Sequence, residues 1–339
     1  MRTQEIKKLI INLLLILFVL SLVLYFSLKD NYQEIISSIS NMNLIWFIIA
    51  ILFLVLYRVL ISISSYNMIR INNEKVGLLK VIQINFIILF FHGVTPFAGG
   101  GQPMEMYYLH NEKIKADKSA NIVLQNFIVY QIALVIISIL AIIYNNLFGL
   151  FPNDSFIKKL VTLGFIINIL VLLFSFLLSF SKKSNKVILN IIITFLNKIK
   201  IIKDKEKFSN KIHEYLNNFH KNALLLLKNK KKLILLILLN IISLISYYSI
   251  AYAICIGMNI NIDYIKVIVT VAYVMMIGSF IPIPGGTGGI EFGYMHFFGY
   301  FITGGLLPAT MLIWRFVSYY LAMILGAIAL TIYRKKEKI

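Results

Sequence analysis

Charged residues are scarce in this chain of 339 residues, where Asp, Glu, Lys and Arg together make up 14% and hydrophobic residues 59%. A soluble domain carries about 25% charged residues. A chain with a mean hydropathy of +0.84 therefore lacks the polar residues to cover a water-facing surface. The same apolar content excludes intrinsic disorder. The apolar runs are continuous and do not alternate as in a membrane barrel, which indicates an all-α polytopic membrane protein.

Cysteine is nearly absent, since Cys255 is the only one. A single cysteine excludes an intramolecular disulfide and a metal site built from several cysteines. The histidines show no metal-ligand spacing, and no nucleophile has an adjacent base. We therefore expect no metal, no cofactor and no catalytic residue. The apolar stretch 9–28 follows a basic N-terminus without a small-residue cleavage site, which predicts a retained first helix.

Six apolar segments are each long enough to cross a hydrocarbon core of about 30 Å at 1.5 Å per residue. The predicted spans are 9–28, 43–63, 119–144, 158–180, 233–257 and 309–333. We treat residues 1–339 as a single integral membrane domain. Within it, the segment 181–232 is predicted to be basic, amphipathic and cytoplasmic.

Acidic residues are few, with 14 Asp and Glu against 33 Lys and Arg, so the formal net charge is +19. Of the 33 basic residues, 27 lie at the two termini and in three segments, 64–80, 110–118 and 181–232. The positive-inside rule places these parts, and both termini, on the cytoplasmic side of the cell membrane. The positive charge then contacts anionic lipid, so nucleic acid is not an expected partner. Whether the chain forms a homo-oligomer stays open.

Proline is also rare, and four of the six prolines fall in two further apolar regions, 81–109 and 264–303. Each region lies between loops assigned to one side of the membrane, so we expect two re-entrant hairpins of broken helix that enter from opposite faces. Irregular backbone survives at membrane depth only where protein or a wet cavity satisfies it. The predicted hairpin backbone positions are Pro96, Gly99, Gly100, Gly101 and Pro103, then Pro282, Pro284, Gly285, Gly286, Gly288 and Gly289.

The two regions match each other at an offset of 186 residues. This offset pairs Pro96 with Pro282, Gly99 with Gly285, Gly100 with Gly286, Glu105 with Glu291, and Tyr108 with Tyr294. Entry from opposite sides together with a sequence match predicts an inverted repeat, an arrangement that places the substrate site near the bilayer midplane in many transporters. The alternative is two unrelated glycine-rich loops.

Glu105 and Glu291 are acidic residues within apolar membrane segments, where a charge costs about 2.5 kcal/mol or more. Arg58 and Arg315 lie in predicted spans and are natural partners. One interpretation is binding of a polar or cationic headgroup or of a proton. The other is two ion pairs that hold helices in register.

Other polar residues near the hairpins are weaker candidates. Gln102 and Thr287 could donate hydrogen bonds to a headgroup, and Tyr108 and Tyr294 could line a cavity. His92 and His296 are either proton relays or packed histidines. The glycines either bind a phosphate through backbone N–H groups or permit close helix packing.

Three ordered blocks resemble the flippase-like membrane region of lysylphosphatidylglycerol synthases. They are Gly100-Gly101-Gln102-Pro103 with Tyr107-Tyr108-Leu109, then Pro282 to Glu291, then Trp314-Arg315-Phe316 with Tyr319-Tyr320. The resemblance covers nearly the whole chain. It implies a free-standing form without the soluble transferase domain of the full-length synthases. Other branches have an acidic-basic pair early in the helix after the first hairpin, where this chain has Gln125 and Asn126.

The expected function is a phospholipid translocase that moves a lipid between leaflets, and the resemblance implies lysyl-phosphatidylglycerol or another cationic lipid. The expected partner is thus an anionic or aminoacylated phospholipid, and the family association with antimicrobial peptide resistance would follow from its transport. The family name also implies phosphatidylglycerol lysyltransferase, an enzyme that would use lysyl-tRNA. A third alternative is a regulatory membrane protein that binds lipid without moving it.

Overall fold

The computed structural model of the chain describes residues 32–152, 155–180, 224 and 226–337. All regular secondary structure within these ranges is helical. The predicted first span, 9–28, and most of the basic segment 181–232 lie outside the described residues.

Long and short helices alternate along the described part of the chain. They are α1 Tyr32–Ser40, α2 Leu44–Ile71, α3 Leu78–Val94, α4 Gly101–Asn111, α5 Ala116–Phe148, α6 Ser155–Phe180, α7 Lys230–Gly257, α8 Tyr264–Gly278, α9 Gly289–Phe298, α10 Leu306–Arg315 and α11 Ala322–Glu337. Two 3₁₀ turns, Pro96–Ala98 and Pro284–Gly286, precede α4 and α9. A π-helical segment, Phe316–Leu321, joins α10 to α11 without a break.

Five helical stretches are long and apolar enough to cross a membrane, and they confirm five of the six predicted spans. They are Leu44–Ile71, Ala116–Phe148, Phe156–Leu177, Lys230–Gly257 and Leu306–Tyr333. Their outer faces carry exposed apolar side chains, such as Leu52 and Leu170. These faces suit lipid rather than water, because no other part of the described chain covers them. The protein is therefore a multi-pass α-helical membrane protein.

The regions predicted as hairpins are both broken helices. In the first unit, α3 ends at Val94, the turn Pro96–Ala98 follows, and α4 begins at Gly101. In the second unit, α8, the turn Pro284–Gly286 and α9 follow in the same order. The two helices of each unit pack against each other, and the two turns contact one another. The side of the membrane from which each unit enters stays a prediction.

The order of elements repeats along the chain. Helices α2 and α7 both have 28 residues and begin 186 positions apart. The residues before them, Asn43 and Asn229, are N-caps whose side chains accept a hydrogen bond from the backbone N–H of Ile45 and Lys232 respectively. Helices α3 and α8 also begin 186 positions apart.

The register of the repeat changes at the turns, and the pairing of Pro96 with Pro282 is wrong. The backbone of Phe97 has a φ of 52° and that of Gly285 a φ of 67°. The next residues, Ala98 and Gly286, also have positive φ, so the turns are equivalent at an offset of 188. Pro96 therefore corresponds to Pro284. The reason is that α8 is two residues shorter than α3, whereas its connection to the turn has five residues instead of one, which leaves a net shift of two.

Close packing holds these elements together. Helix α2 packs along α7, and α11 packs along α3. A Cβ atom on Gly326 would lie 2.5 Å from the backbone nitrogen of Phe90, so α11 and α3 approach at backbone distance. Small residues permit this approach between membrane helices, where dispersion contacts rather than water exclusion drive association.

Candidate functional site

The second unit contains a buried carboxylate in a capping position. Glu291 is the third residue of α9, and its Oε2 accepts a hydrogen bond of 2.6 Å from the backbone N–H of Gly288. A glutamate at this position satisfies one of the free N–H groups at a helix start. The N-terminus of α9 is also the positive end of its dipole, which stabilises the negative charge.

The side chain of Arg315, in the last long helical stretch Leu306–Tyr333, contacts the same turn. Its Nε lies 2.7 Å from Glu291 Oε1, with the two side chains 4% and 7% exposed. The N–H direction does not meet hydrogen-bond geometry, so this contact is an ion pair. Its Nη2 donates to the carbonyl oxygen of Gly285 at 3.1 Å and to Thr287 Oγ1 at 3.3 Å. The charge of Arg315 is thus balanced by Glu291, and its Nη2 group has two acceptors.

Tyr319 completes this arrangement one helical turn after Arg315. Its ring lies 4.6 Å from the Arg315 guanidinium carbon, in cation–π contact. The ring also fills the space beside Gly285, where a Cβ atom would lie 2.4 Å away. Arg315 directly precedes the π-helical segment and Tyr319 lies within it. Such segments are often found at functional sites.

The carboxylate of the first unit has different contacts. Glu105 is the fifth residue of α4, beyond the capping positions, and corresponds to Gly293 in the register of the turns. Ser65 of α2 donates a hydrogen bond of 3.2 Å to Glu105 Oε1. Asn126 of α5 in turn donates to Ser65 Oγ at 3.0 Å. The Glu105 side chain is partly exposed, whereas Glu291 is buried.

Arg58 lies in electrostatic range of Glu105 and His92, but among the described residues no carboxylate forms an ion pair with it. The residue is 7% exposed, and its Nε is buried without a hydrogen-bond partner. Its guanidinium carbon lies 4.9 Å from the centroid of the Tyr57 ring. The expected pairing of arginines with glutamates therefore holds for Arg315 and Glu291 only.

A closed set of amides joins the C-terminal end of α2 to α5. Asn121 donates to Asn72 Oδ1 at 2.8 Å, Asn72 donates to Gln125 Oε1 at 3.0 Å, and Gln125 donates to Asn121 Oδ1 at 3.2 Å. All three side chains are buried. Buried amides contribute to stability when each finds a partner. Their polar character within an apolar segment, with Asn121 and Gln125 four residues apart, is the signal that could have revealed them.

The other predicted site residues are either packed in the protein interior or partly exposed. Tyr294 is completely buried in a stack with Phe298 and Trp314, at centroid distances of 4.1 and 5.0 Å. Thr287 is completely buried and donates to the carbonyl oxygen of Pro284. In this conformation neither is accessible to a substrate, and their contacts favour a structural role.

On the first unit, Gln102 and His92 are partly exposed, and Tyr108 is buried against the rings of Tyr107 and Tyr333. The backbone of Gly101 packs directly on His92, because a Cβ there would lie 1.6 Å from His92 Nε2.

His296 lies near the end of α9 and contacts the hydroxyl of Tyr300 at 3.2 Å. Its ring packs on Phe292 and Phe297. No contact links His296 to Glu291 within the described residues, so these contacts favour the interpretation of a packed histidine.

Residues 9–326 match the family described as the lysylphosphatidylglycerol synthase TM region. The match covers most of the chain, and the protein belongs to this family. A UPF0104 membrane protein of Archaeoglobus fulgidus is 20% identical over 327 residues, which cover 89% of this chain and 90% of the relative. The similarity extends over nearly the full length of both chains.

Proposed function

We propose that the protein moves a phospholipid between the two leaflets, with the headgroup held beside the contact of the two turns. The observation that carries this proposal is that contact, between Pro96–Ala98 of one broken-helix unit and Pro284–Gly286 of the other. Broken helices that meet within a membrane bundle provide polar backbone and helix ends where unbroken helices would offer only apolar surface.

The charges beside the turns suit a lipid headgroup. Glu105 is a partly exposed carboxylate whose side-chain hydrogen-bonding partners, Ser65 and Asn126, are neutral. A carboxylate in an apolar membrane region is usually functional, because its desolvation needs compensation. It would attract the cationic group of an aminoacylated phospholipid such as lysyl-phosphatidylglycerol. The family relationship supports this substrate class.

The second unit would support the site rather than bind the headgroup. Glu291 and Arg315 satisfy each other and the adjacent turn, so neither has a free charge to offer. Arg315, Thr287 and Gly285 would fix the turn against which the first unit packs. The two glutamates thus have different roles in this proposal.

Transport by purified protein in liposomes tests this function. Phospholipids with a fluorescent acyl chain and either a lysylated or an unmodified glycerol headgroup are placed in the inner leaflet. Their arrival outside is followed by a membrane-impermeant quencher. We expect faster appearance of the lysylated lipid with protein than in empty liposomes, and a loss of most of that rate in Glu105→Gln, which keeps shape and removes charge.

Glu112→Gln is the matched control, because Glu112 follows α4 and pairs with Lys80, which is 43% exposed. This variant should keep the wild-type rate. Wild-type protein that moves neither lipid contradicts the proposal. Lipid retained on the purified protein without transport would favour the regulatory alternative, and lysyl-tRNA-dependent lipid synthesis by the purified protein would favour the transferase.

A further inference from the structure

Arg58 differs from Arg315 in having no carboxylate at ion-pair distance among the described residues. Arg315 has Glu291, Gly285 and Thr287 as partners. Arg58 is 7% exposed, forms no ion pair with a described residue, and its Nε has no hydrogen-bond partner. A buried guanidinium without a counter-charge among the described residues is costly in a membrane protein, so an anionic group from outside the chain would stabilise it.

We propose that Arg58 binds the phosphate group of the transported lipid. This inference rests on the proposed function and names the second half of the headgroup site. The guanidinium group presents a planar fork of N–H donors that matches phosphate oxygens in a bidentate arrangement. Arg58 lies on α2 seven residues before Ser65, which is two helical turns and therefore the same helix face. Ser65 contacts Glu105 of α4. The phosphate is held by Arg58 while the cationic end of the headgroup faces Glu105.

The contacts of Glu105 leave Arg58 available. A carboxylate paired with Arg58 would compete with a phosphate for the same donors. Instead, Glu105 Oε1 accepts from Ser65, which is itself held by Asn126. A neutral hydroxyl, and not the guanidinium of Arg58, thus holds the Glu105 carboxylate. The partly exposed side chains of Glu105 and His92 mark the side from which a ligand reaches Arg58.

The two halves of the protein are not equivalent at these positions. At the offset of the long helices, Arg58 corresponds to Leu244, which is 1% exposed in the hydrophobic core. Arg58 thus has no counterpart on α7. The predicted phosphate site is therefore confined to the first half of the chain.

A binding experiment on detergent-solubilised, delipidated full-length protein tests this site. The midpoint of thermal unfolding is followed as dioleoyl phosphatidylglycerol is added in mixed micelles. Dioleoylglycerol supplies the same acyl chains without phosphate, and sodium phosphate at matched ionic strength supplies free phosphate. A ligand that binds the folded state raises the midpoint according to its affinity. We expect a rise with the phospholipid only.

Three variants separate binding from folding. Arg58→Gln should weaken the apparent affinity by about tenfold or more, and Arg58→Lys by less, since an ammonium group keeps the charge without the fork. Without lipid, Arg58→Gln should unfold at the wild-type midpoint or above it, because an unpaired buried charge is removed. Arg70→Gln is the control, because Arg70 is an exposed arginine of the same helix and should bind like wild type.

Wild-type affinity in Arg58→Gln would overturn the phosphate site, and so would a lowered midpoint without lipid, which indicates a structural role. If that variant does not fold, an unchanged affinity in Arg58→Lys overturns it. Equal protection by sodium phosphate would overturn the lipid as ligand. Binding that depends on Arg58 in a protein that moves no lipid would confirm the phosphate site and contradict only the proposed transport.

Discussion

The hydroxyl of Tyr319 donates a hydrogen bond of 2.7 Å to the carbonyl oxygen of Gly93, and this bond joins the last long helix to the end of α3. The same ring covers Gly285 in the second unit. One side chain thus contacts both broken-helix units next to the place where their turns meet.

Removing the Tyr319 hydroxyl tests how much this connection contributes to stability. Tyr319→Phe keeps the ring beside Gly285 and leaves the carbonyl oxygen of Gly93 without this donor. We expect a loss of about 1 kcal/mol, because the acceptor is buried. The thermal midpoint in detergent measures the change. Tyr320→Phe, an adjacent and more exposed residue, should have a smaller effect, and an equal effect of both variants would contradict the assignment.

Gly285 is predicted to tolerate no side chain. Its φ is 67°, and a Cβ atom would lie 2.4 Å from the Tyr319 ring, so Gly285→Ala combines backbone strain with a clash. A strained backbone residue of this kind costs about 1–3 kcal/mol. Gly77→Ala is the control, since nothing lies within 4 Å of the Cβ position there. Similar unfolding midpoints for the two alanine variants would refute the prediction.

The Glu291–Arg315 ion pair is predicted to be strongly coupled. Either Glu291→Gln or Arg315→Gln leaves an uncompensated buried charge, and such changes typically cost about 3–5 kcal/mol. The double variant should lose much less than the sum of the two single changes. A thermodynamic cycle from thermal or denaturant unfolding gives the coupling. Additive effects would show that the two side chains act independently.

The orientation of the chain is predicted from its basic loops. On a Cys255→Ala background, single cysteines at Lys115 and Asn261 are treated with a membrane-impermeant thiol reagent applied to intact cells. Both positions are exposed. We expect labelling at Asn261 and protection at Lys115, because the loop at 110–118 is basic and the loop after α7 is poor in charge. Labelling at Lys115 and protection at Asn261 would show that the chain has the opposite orientation in the membrane.

The described long helices were predictable because each is a continuous apolar run, and the broken units were predictable because Gly and Pro interrupt such runs. The register of the internal repeat at the turns could not be predicted from the sequence. Residue identities favoured Pro282 as the partner of Pro96, whereas backbone dihedral angles select Pro284. A sequence comparison weighs identical letters and contains no information on which residue adopts a positive φ.

The site was predictable in its residue types and not in its contacts. Acidic residues within apolar segments identified Glu105 and Glu291, because charge there is costly. Whether a given arginine reaches a given glutamate depends on helix rotation, which periodicity alone does not define. Ser65 was missed as the donor to Glu105. The one available signal was the run of serines that includes Ser62, Ser64 and Ser65 in an apolar span.

The register change at the turns means that the two acidic residues occupy different structural positions. Glu291 corresponds to Pro103 and Glu105 to Gly293 in the register of the turns. Glu291 therefore reaches a free N–H group at the start of its helix, whereas Glu105 lies two residues further along its own helix, beyond the capping positions. The effect of a substitution at one glutamate thus does not predict the effect of the same substitution at the other.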